Sequence, residues 1–171
     1  GATGFLGSYL LRDILEKTSA HVTCIARGNS NEAAYARIEQ KMKKFNIFKE
    51  EYSTRFSALC GSLGETKFGL SDDAYTLLET TIDTIYNCAA DLSFVKSYQN
   101  LETANIYAVK QMLDLCCKGC PKTFNHISSF SVLLDPGRVG PVDEFSEIDY
   151  EYHNFPEYII TKKYGERLVM E

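Results

Sequence analysis

Gly1-Ala2-Thr3-Gly4-Phe5-Leu6-Gly7 opens the chain, and the residues just after it decide how it reads. Leu6, Leu10 and Ile14 recur at i, i+4 and i+8, with Leu11 and Leu15 beside them. That spacing predicts a helix over residues 5–17 with a broad apolar face. A G-x-x-G-x-x-G turn at the start of such a helix has a physical use. The first glycine permits a tight turn, the second lets backbone approach a pyrophosphate, and the third lets the helix pack closely on a strand. The helix then offers unpaired N–H groups and a positive dipole end to the phosphates. Glycine-rich turns are common, so the discriminating feature is the context of a helix followed by a strand.

Outward from this turn the pattern alternates. Residues 21–26 form a short β-branched run of strand length, and the polar stretch 31–45 predicts an exposed helix with Ser30 or Asn31 as its N-cap. Lys41, Lys43 and Lys44 read as its solvated face. A second strand is expected over 56–60, ending at Gly61. A helix capped by Ser71, Asp72 and Asp73 then runs through Leu77 and Leu78. Residues 82–88 give a third strand and 101–117 a long helix with Ile106, Val109, Met112, Leu113 and Cys116 inward. A fourth strand at 123–127, a Pro/Gly-containing loop at 135–141 and a helix at 157–171 complete the series. Strands separated by helices imply parallel pairing in a doubly wound α/β sheet.

The 171 residues suit one hydrophobic core, and 44% hydrophobic with 24% charged residues is an ordinary globular balance. A net charge of −5 supplies no field that would draw the chain to nucleic acid or anionic lipid. No apolar run approaches the ~20 residues that span a bilayer, and the first residues do not form a basic-then-apolar leader. Cys24, Cys60 and Cys88 sit in strand-like runs. Cys116, Cys117 and Cys120 cluster at a helix end, where the C-x-x-C spacing has no second pair to complete a metal site and does not precede a helix. Free thiols in a reducing, cytoplasmic compartment, with no metal, are the simpler reading.

Which dinucleotide is suggested by the end of the strand after the glycine turn, Ile25-Ala26-Arg27-Gly28. An acidic residue there would accept from a ribose 2′-hydroxyl. Arg27 instead puts a guanidinium where a 2′-phosphate would lie, which favours NADPH; a surface arginine is the plain alternative. Tyr158 and Lys162 are spaced Y-x-x-x-K on the last helix, so an ammonium can sit beside a phenol and make it a usable proton donor. With 11 tyrosines the spacing has little specificity, yet Tyr158 is the only one with lysine four residues on. His126-Ile127-Ser128-Ser129-Phe130-Ser131 follows the fourth strand at its carboxyl end, where ligands bind in open α/β sheets. A hydroxyl there could bond a substrate carbonyl, or close a serine-rich turn on its own backbone. Asn105 is a poor helix former inside a helix and reads either as functional or as an exposed polar position.

Together these pieces resemble the extended short-chain dehydrogenase/reductases, and more narrowly the thioester reductase domains that terminate nonribosomal peptide synthetases, polyketide synthases and carboxylic acid reductases. The resemblance runs through residues 1–11, the CIARG stretch from Cys24 to Gly28, residues 61–63, FGLS from Phe68 to Ser71, IDTIYNCAA from Ile82 to Ala90, Asn105 with Met112 and Leu113, HISSFSV from His126 to Val132, and residues 158–166. CIARG and FGLS are its more specific parts.

The resemblance implies Ser129, Tyr158 and Lys162 as the catalytic set, with Asn105 supporting a proton relay. It assigns cofactor contacts to Gly1, Thr3, Gly4, Phe5, Leu6, Gly7, Arg27, Arg37, Ser62, Leu63, Ala89 and Ala90, besides Tyr158 and Lys162. Ser62 stands where such domains usually carry Asp in a G-D-L segment. The implied activity is NADPH-dependent release of an acyl or peptidyl thioester, held on the phosphopantetheine of a carrier domain, as an aldehyde that a second hydride could take on to the alcohol. Neighbouring readings are a fatty acyl-CoA reductase, a nucleotide-sugar epimerase or dehydratase, and an NADP-sensing module without catalysis. The implied domain is a monomeric Rossmann unit over 1–171, a fragment of a larger reductase or synthetase, lacking its first strand and its C-terminal substrate subdomain.

Overall fold

A computed structural model of the chain describes residues 1–134, 140–143, 146 and 155–171. Of the loop expected over 135–141, all but Gly140 and Pro141 lies outside the described residues. The elements are α1 (Phe5–Lys17), β1 (Val22–Ala26), α2 (Asn31–Lys44), β2 (Phe56–Cys60), α3 (Asp72–Thr81), β3 (Thr84–Asn87), α4 (Tyr98–Glu102), α5 (Ala108–Cys116), β4 (Thr123–His126) and α6 (Glu157–Met170). Serine caps set two of the helix starts: Ser30 Oγ accepts from the Ala33 N–H and Ser71 Oγ from the Ala74 N–H. Asp72 and Asp73 add negative charge to the first turn of α3, where the helix dipole favours it.

All strand pairing among the described residues is parallel. β1 pairs with β2 from Val22 opposite Phe56 to Ala26 opposite Cys60, and β3 with β4 from Thr84 opposite Thr123 to Asn87 opposite His126. β1 and β3 face each other across a cleft of about 690 Å³, lined by Val22, Thr23, Cys24 and Ile25 on one side and by Thr84, Ile85, Tyr86 and Asn87 on the other. Gly1 lies at this cleft against Cys88, so close that a Cβ on it would sit 2.4 Å from the Cys88 carbonyl carbon. The polar side chains of Asn87 and His126 meet at the carboxyl ends of β3 and β4.

Helices cover the strands through three apolar groups. Leu11, Leu15, Ile38, Met42, Tyr52 and Phe56 pack α1 and α2 on the first sheet. Phe68, Tyr75, Leu78, Ala108, Met112 and Leu115 pack α3 and α5 on the second, with Ile85 and Phe124 partly buried against them. Leu101 meets Tyr158 and Ile159 where α4 meets α6. The FGLS stretch owes its specificity to backbone: Lys67, Phe68 and Gly69 all have positive φ, and the buried Phe68 presents its carbonyl to the Ser62 N–H at 2.8 Å.

Two elements differ from the sequence pattern. The third strand starts at Thr84 because Ile82 still ends α3, its N–H bonded to the Leu78 carbonyl. The helix expected over 101–117 begins at Tyr98 and is interrupted by a π turn at Thr103–Tyr107. One extra residue in a turn shifts the helical phase. In the helix that follows, Val109 and Met112 are buried as expected and Leu115 is buried too, whereas Leu113 and Cys116, expected inward, are only half-buried. The π turn also receives α6, for a Cβ on Gly165 would lie 2.4 Å from the Asn105 carbonyl oxygen.

Candidate active site

The glycine turn is built as a cradle. The Gly4 N–H bonds the Gly1 carbonyl at 2.9 Å, and the buried Ser8 hydroxyl donates to the carbonyls of Ala2 and Gly4. A Cβ on Gly7 would lie 2.2 Å from the Gly1 oxygen, so only glycine lets α1 close onto the turn. At Gly4 a Cβ would meet the Gly1 oxygen at 3.2 Å and nothing else within 4 Å, which leaves that side open. No side chain caps α1, and its first turn carries no acid, so its free N–H groups and dipole remain available to an anion. Thr3, Phe5 and Leu6 belong to this turn, and the rings of Phe5, Tyr9 and Phe45 pack together beside it. These features fit the pyrophosphate of a dinucleotide.

The structure brings Arg27 and Arg37 together at the carboxyl end of β1. Arg37 Nη1 donates to the Arg27 backbone carbonyl at 3.2 Å, which puts the Arg37 guanidinium beside the Arg27 backbone. Cys60 closes that end from β2, its N–H held by Asn31 Oδ1 and its thiol by the Gly28 carbonyl. Ser62 and Leu63 continue from β2; Leu63 gives its carbonyl to Gln111 Nε2 at 3.1 Å. Ala89 and Ala90 follow β3, with the Ala89 N–H donated to Asn87 Oδ1.

The other residues meet where α6 packs on the end of β4. Tyr158 is 7% exposed and Lys162 3%, on one face of α6. Lys162 Nζ donates to the Ile127 carbonyl at 2.7 Å, which ties the helix to the strand end. Burial lowers the Lys162 pKa, with Glu166 opposing. Ser129 opens the 3-10 turn Phe130–Leu133, which packs against α6. Its Oγ accepts from the Ser131 N–H and lies 2.7 Å from Ser131 Oγ, so it both closes the turn and keeps a hydroxyl at the strand end. Ser128 Oγ and His126 Nε2 are buried nearby without hydrogen-bond partners among the described residues. Burial, and secondarily the Lys162 charge, push His126 down to about 4.

Asn105 is buried, not exposed, and its side chain is fully engaged. Oδ1 accepts the Asp91 N–H at 2.8 Å, while Nδ2 donates to the Asp91 carbonyl at 3.1 Å and to Thr161 Oγ1 at 3.0 Å. Thr161 in turn donates to the Tyr158 carbonyl. A single chain of bonds thus runs from Asp91 through the π turn to the helix of Tyr158. Sequence motifs did not point to Thr161 or Asp91, though one lies inside Y-x-x-x-K and the other directly follows Ala90. The C-x-x-C spacing forms no paired site: the Cys120 thiol turns inward to the Ile82 carbonyl while Cys117 is exposed.

All of residues 1–171 match the model of an NAD-binding family described as male sterility protein. The chain belongs to this family. Glycine betaine reductase ATRR from Emericella nidulans is 33% identical over all of the chain, which spans 14% of that protein. L-2-aminoadipate reductase from Saccharomyces cerevisiae is 33% identical over 78% of the chain and 10% of its own length. A linear gramicidin synthase polypeptide from Brevibacillus parabrevis is 32% identical over 75% of the chain and 2% of its length. Among solved structures, the terminal R domain from the myxalamid PKS-NRPS pathway superposes with a TM-score of 0.93 at 28% identity, covering 99% of this chain and 43% of that one. The resemblance to terminal reductase domains is thus borne out, as is the Rossmann-type fold. UDP-glucuronic acid 4-epimerase from Bacillus cereus, solved with NAD, aligns at a TM-score of 0.67 and 27% identity over 99% of this chain and 50% of its own. The male sterility family and that complex agree with a nicotinamide dinucleotide as cofactor.

Proposed function

We propose that the chain is the nucleotide-binding part of an NADPH-dependent reductase that releases a carrier-bound acyl or peptidyl thioester as an aldehyde. The observation that carries this reading is that α6, with Tyr158 and Lys162 on one face, packs against the turn opened by Ser129 and is tied by Lys162 to the carboxyl end of β4. When bound, the nicotinamide supplies the hydride. Tyr158 donates its proton to the carbonyl oxygen as charge develops there, and Ser129 Oγ donates a hydrogen bond to the same oxygen. The thiohemiacetal so formed collapses: its hydroxyl proton returns to the Tyr158 phenolate, the C–S bond breaks, and the carrier thiol leaves, taking up a proton, beside the aldehyde. Lys162 stabilises the resulting phenolate electrostatically. Arg27 and Arg37 bind the 2′-phosphate, which an acid at that position would repel. Asn105 acts through its bonds to Asp91 and Thr161, by holding α6 and the segment after β3 in register.

The carrier domain enters because solved relatives include a thiolation-reductase di-domain, and the chemistry needs a tethered thioester. An acyl-CoA thioester presents the same carbonyl to the same groups, so the two are compared directly. The full-length protein is incubated with NADPH and an acyl thioester on a carrier domain or on CoA, and NADPH oxidation is followed. Turnover on the carrier substrate that falls by a factor of about 100 or more in Tyr158→Phe supports the reading. Undiminished turnover in Tyr158→Phe, or none on either thioester, overturns it.

A further inference from the structure

Tyr158 is almost fully buried, yet the ring that covers it is not. Phe94 lies with its ring centroid 4.9 Å from that of Tyr158, tilted by 48°, and is itself 61% exposed. Its neighbours Leu92 and Val95 are also exposed. Ser129 has a similar companion, since Phe130 follows it directly and is 78% exposed. Each hydroxyl assigned to the carbonyl oxygen is therefore flanked by a phenylalanine that leaves apolar surface open to solvent. Exposed apolar side chains in one short segment, Leu92, Phe94 and Val95, mark a surface that takes an apolar partner.

The segment bearing Phe94 is held in place. Both backbone groups of Asp91 bond Asn105, and the Asp91 carboxylate accepts from the Ser93 N–H and from Lys96 Nζ. Through Asn105 and Thr161 the base of this segment is connected to the Tyr158 backbone. The same bonds decide the charge of the surface. Asp91 and Lys96, the two ionic side chains of residues 91–97, neutralise each other in a 2.5 Å pair. Residues 92–95 themselves offer no charge that could grip a carboxylate or an ammonium on a substrate.

We propose that Phe94, with Leu92 and Val95, forms the wall against which the acyl chain of the thioester lies, and selects apolar over charged acyl groups. This rests on the thioester-reductase reading above and adds the substrate class to it. The geometry is direct: Tyr158 protonates the carbonyl oxygen, and the acyl chain leaves the adjacent carbon. A ring packed at a tilt against Tyr158 is therefore among the first protein surfaces that chain meets.

The test compares octanoyl and succinyl thioesters of pantetheine with the full-length protein, as wild type, Phe94→Leu and Phe94→Asn. Because Phe94 is largely exposed, neither change removes a core side chain, and NADPH binding measured by fluorescence is expected to stay as in wild type. Wild type should favour octanoyl. Phe94→Leu should keep that preference, and Phe94→Asn should lower kcat/KM for octanoyl by about tenfold while leaving succinyl within about twofold. An equal loss on both substrates, as a packing role for the ring would give, overturns the proposal, and so does a wild-type preference for succinyl. Absence of turnover on any thioester removes the reductase reading together with this one. Turnover with unchanged selectivity removes only this one.

Discussion

Replacing His126 by glutamine should flatten the acid side of the protein's stability profile. Asn87 Oδ1 is occupied by the Ala89 N–H at 3.1 Å, so the Asn87 amide nitrogen faces His126 Nδ1, also at 3.1 Å. Nδ1 must then accept, the ring proton sits on Nε2, and a second proton would set donor against donor. Burial first, and the Lys162 charge second, push the His126 pKa from 6.5 down to about 4. In the unfolded chain the ring takes its proton near 6.5, so between these values the unfolded state binds more protons than the folded one. Stability therefore falls as pH drops from 6.5 to about 4, and this contribution is flat outside that window. The whole gap corresponds to about 3 kcal/mol; the ring is only partly buried, and solvent screening reduces this to about 1–2 kcal/mol. Asp13, held low by Lys17 and Arg12, and Asp91, held low by Lys96, also lose stabilising pairs in acid. They do so equally in both proteins, so the difference between wild type and His126→Gln isolates the histidine. Urea unfolding of the two proteins from about pH 7 to about pH 4.5 should show wild type losing about 1–2 kcal/mol more than the variant. Parallel curves would refute the argument, as would an NMR titration of His126 with its midpoint near 6.5.

Three further outcomes come from the same geometry. Arg27→Ala should weaken NADPH binding by about tenfold to a hundredfold and leave NADH binding nearly unchanged, read by fluorescence titration with each cofactor; equal loss for both would count against a 2′-phosphate contact. Asn105→Ala strands both backbone groups of Asp91 and removes the donor to Thr161 Oγ1, which keeps its own bond to the Tyr158 carbonyl, and should lower unfolding stability by about 2–4 kcal/mol in denaturant melts. Gly165→Ala drives a methyl to 2.4 Å from the Asn105 carbonyl oxygen, so α6 must shift. The expected cost is about 1–3 kcal/mol, together with a fall in kcat on the thioester substrate.

The features legible in the sequence and those that were not divide along one physical line. α1, α2 and α3 follow the apolar spacing and the Ser30 and Ser71 caps because these signals lie within a few residues of each other. The glycine cradle was legible for the same reason: three glycines within seven residues specify a turn whose packing leaves no room for a side chain at Gly1 or Gly7. The π turn at Thr103–Tyr107 had no such signature, since a 3.6-residue period carried across residues 101–117 assumes one register throughout. Its cause sits on another element, in Gly165 of α6 and in a hydrogen bond from Asn105 to Thr161 that spans 56 residues of sequence. Asn105 did show one oddity, a poor helix former among Leu101, Ile106 and Val109, and the structure resolves it in favour of a buried strap. The same distinction separates Tyr158 from Phe94. Tyr158 carries its partner Lys162 four residues on, and so can be recognised alone. Phe94 gains meaning only from a ring 64 positions away in the chain, and its exposure becomes informative once that ring is assigned as the proton donor. Motifs therefore point to the groups proposed to meet the reacting carbonyl, whereas the surface proposed for the rest of the substrate is assembled by contacts that no local pattern encodes.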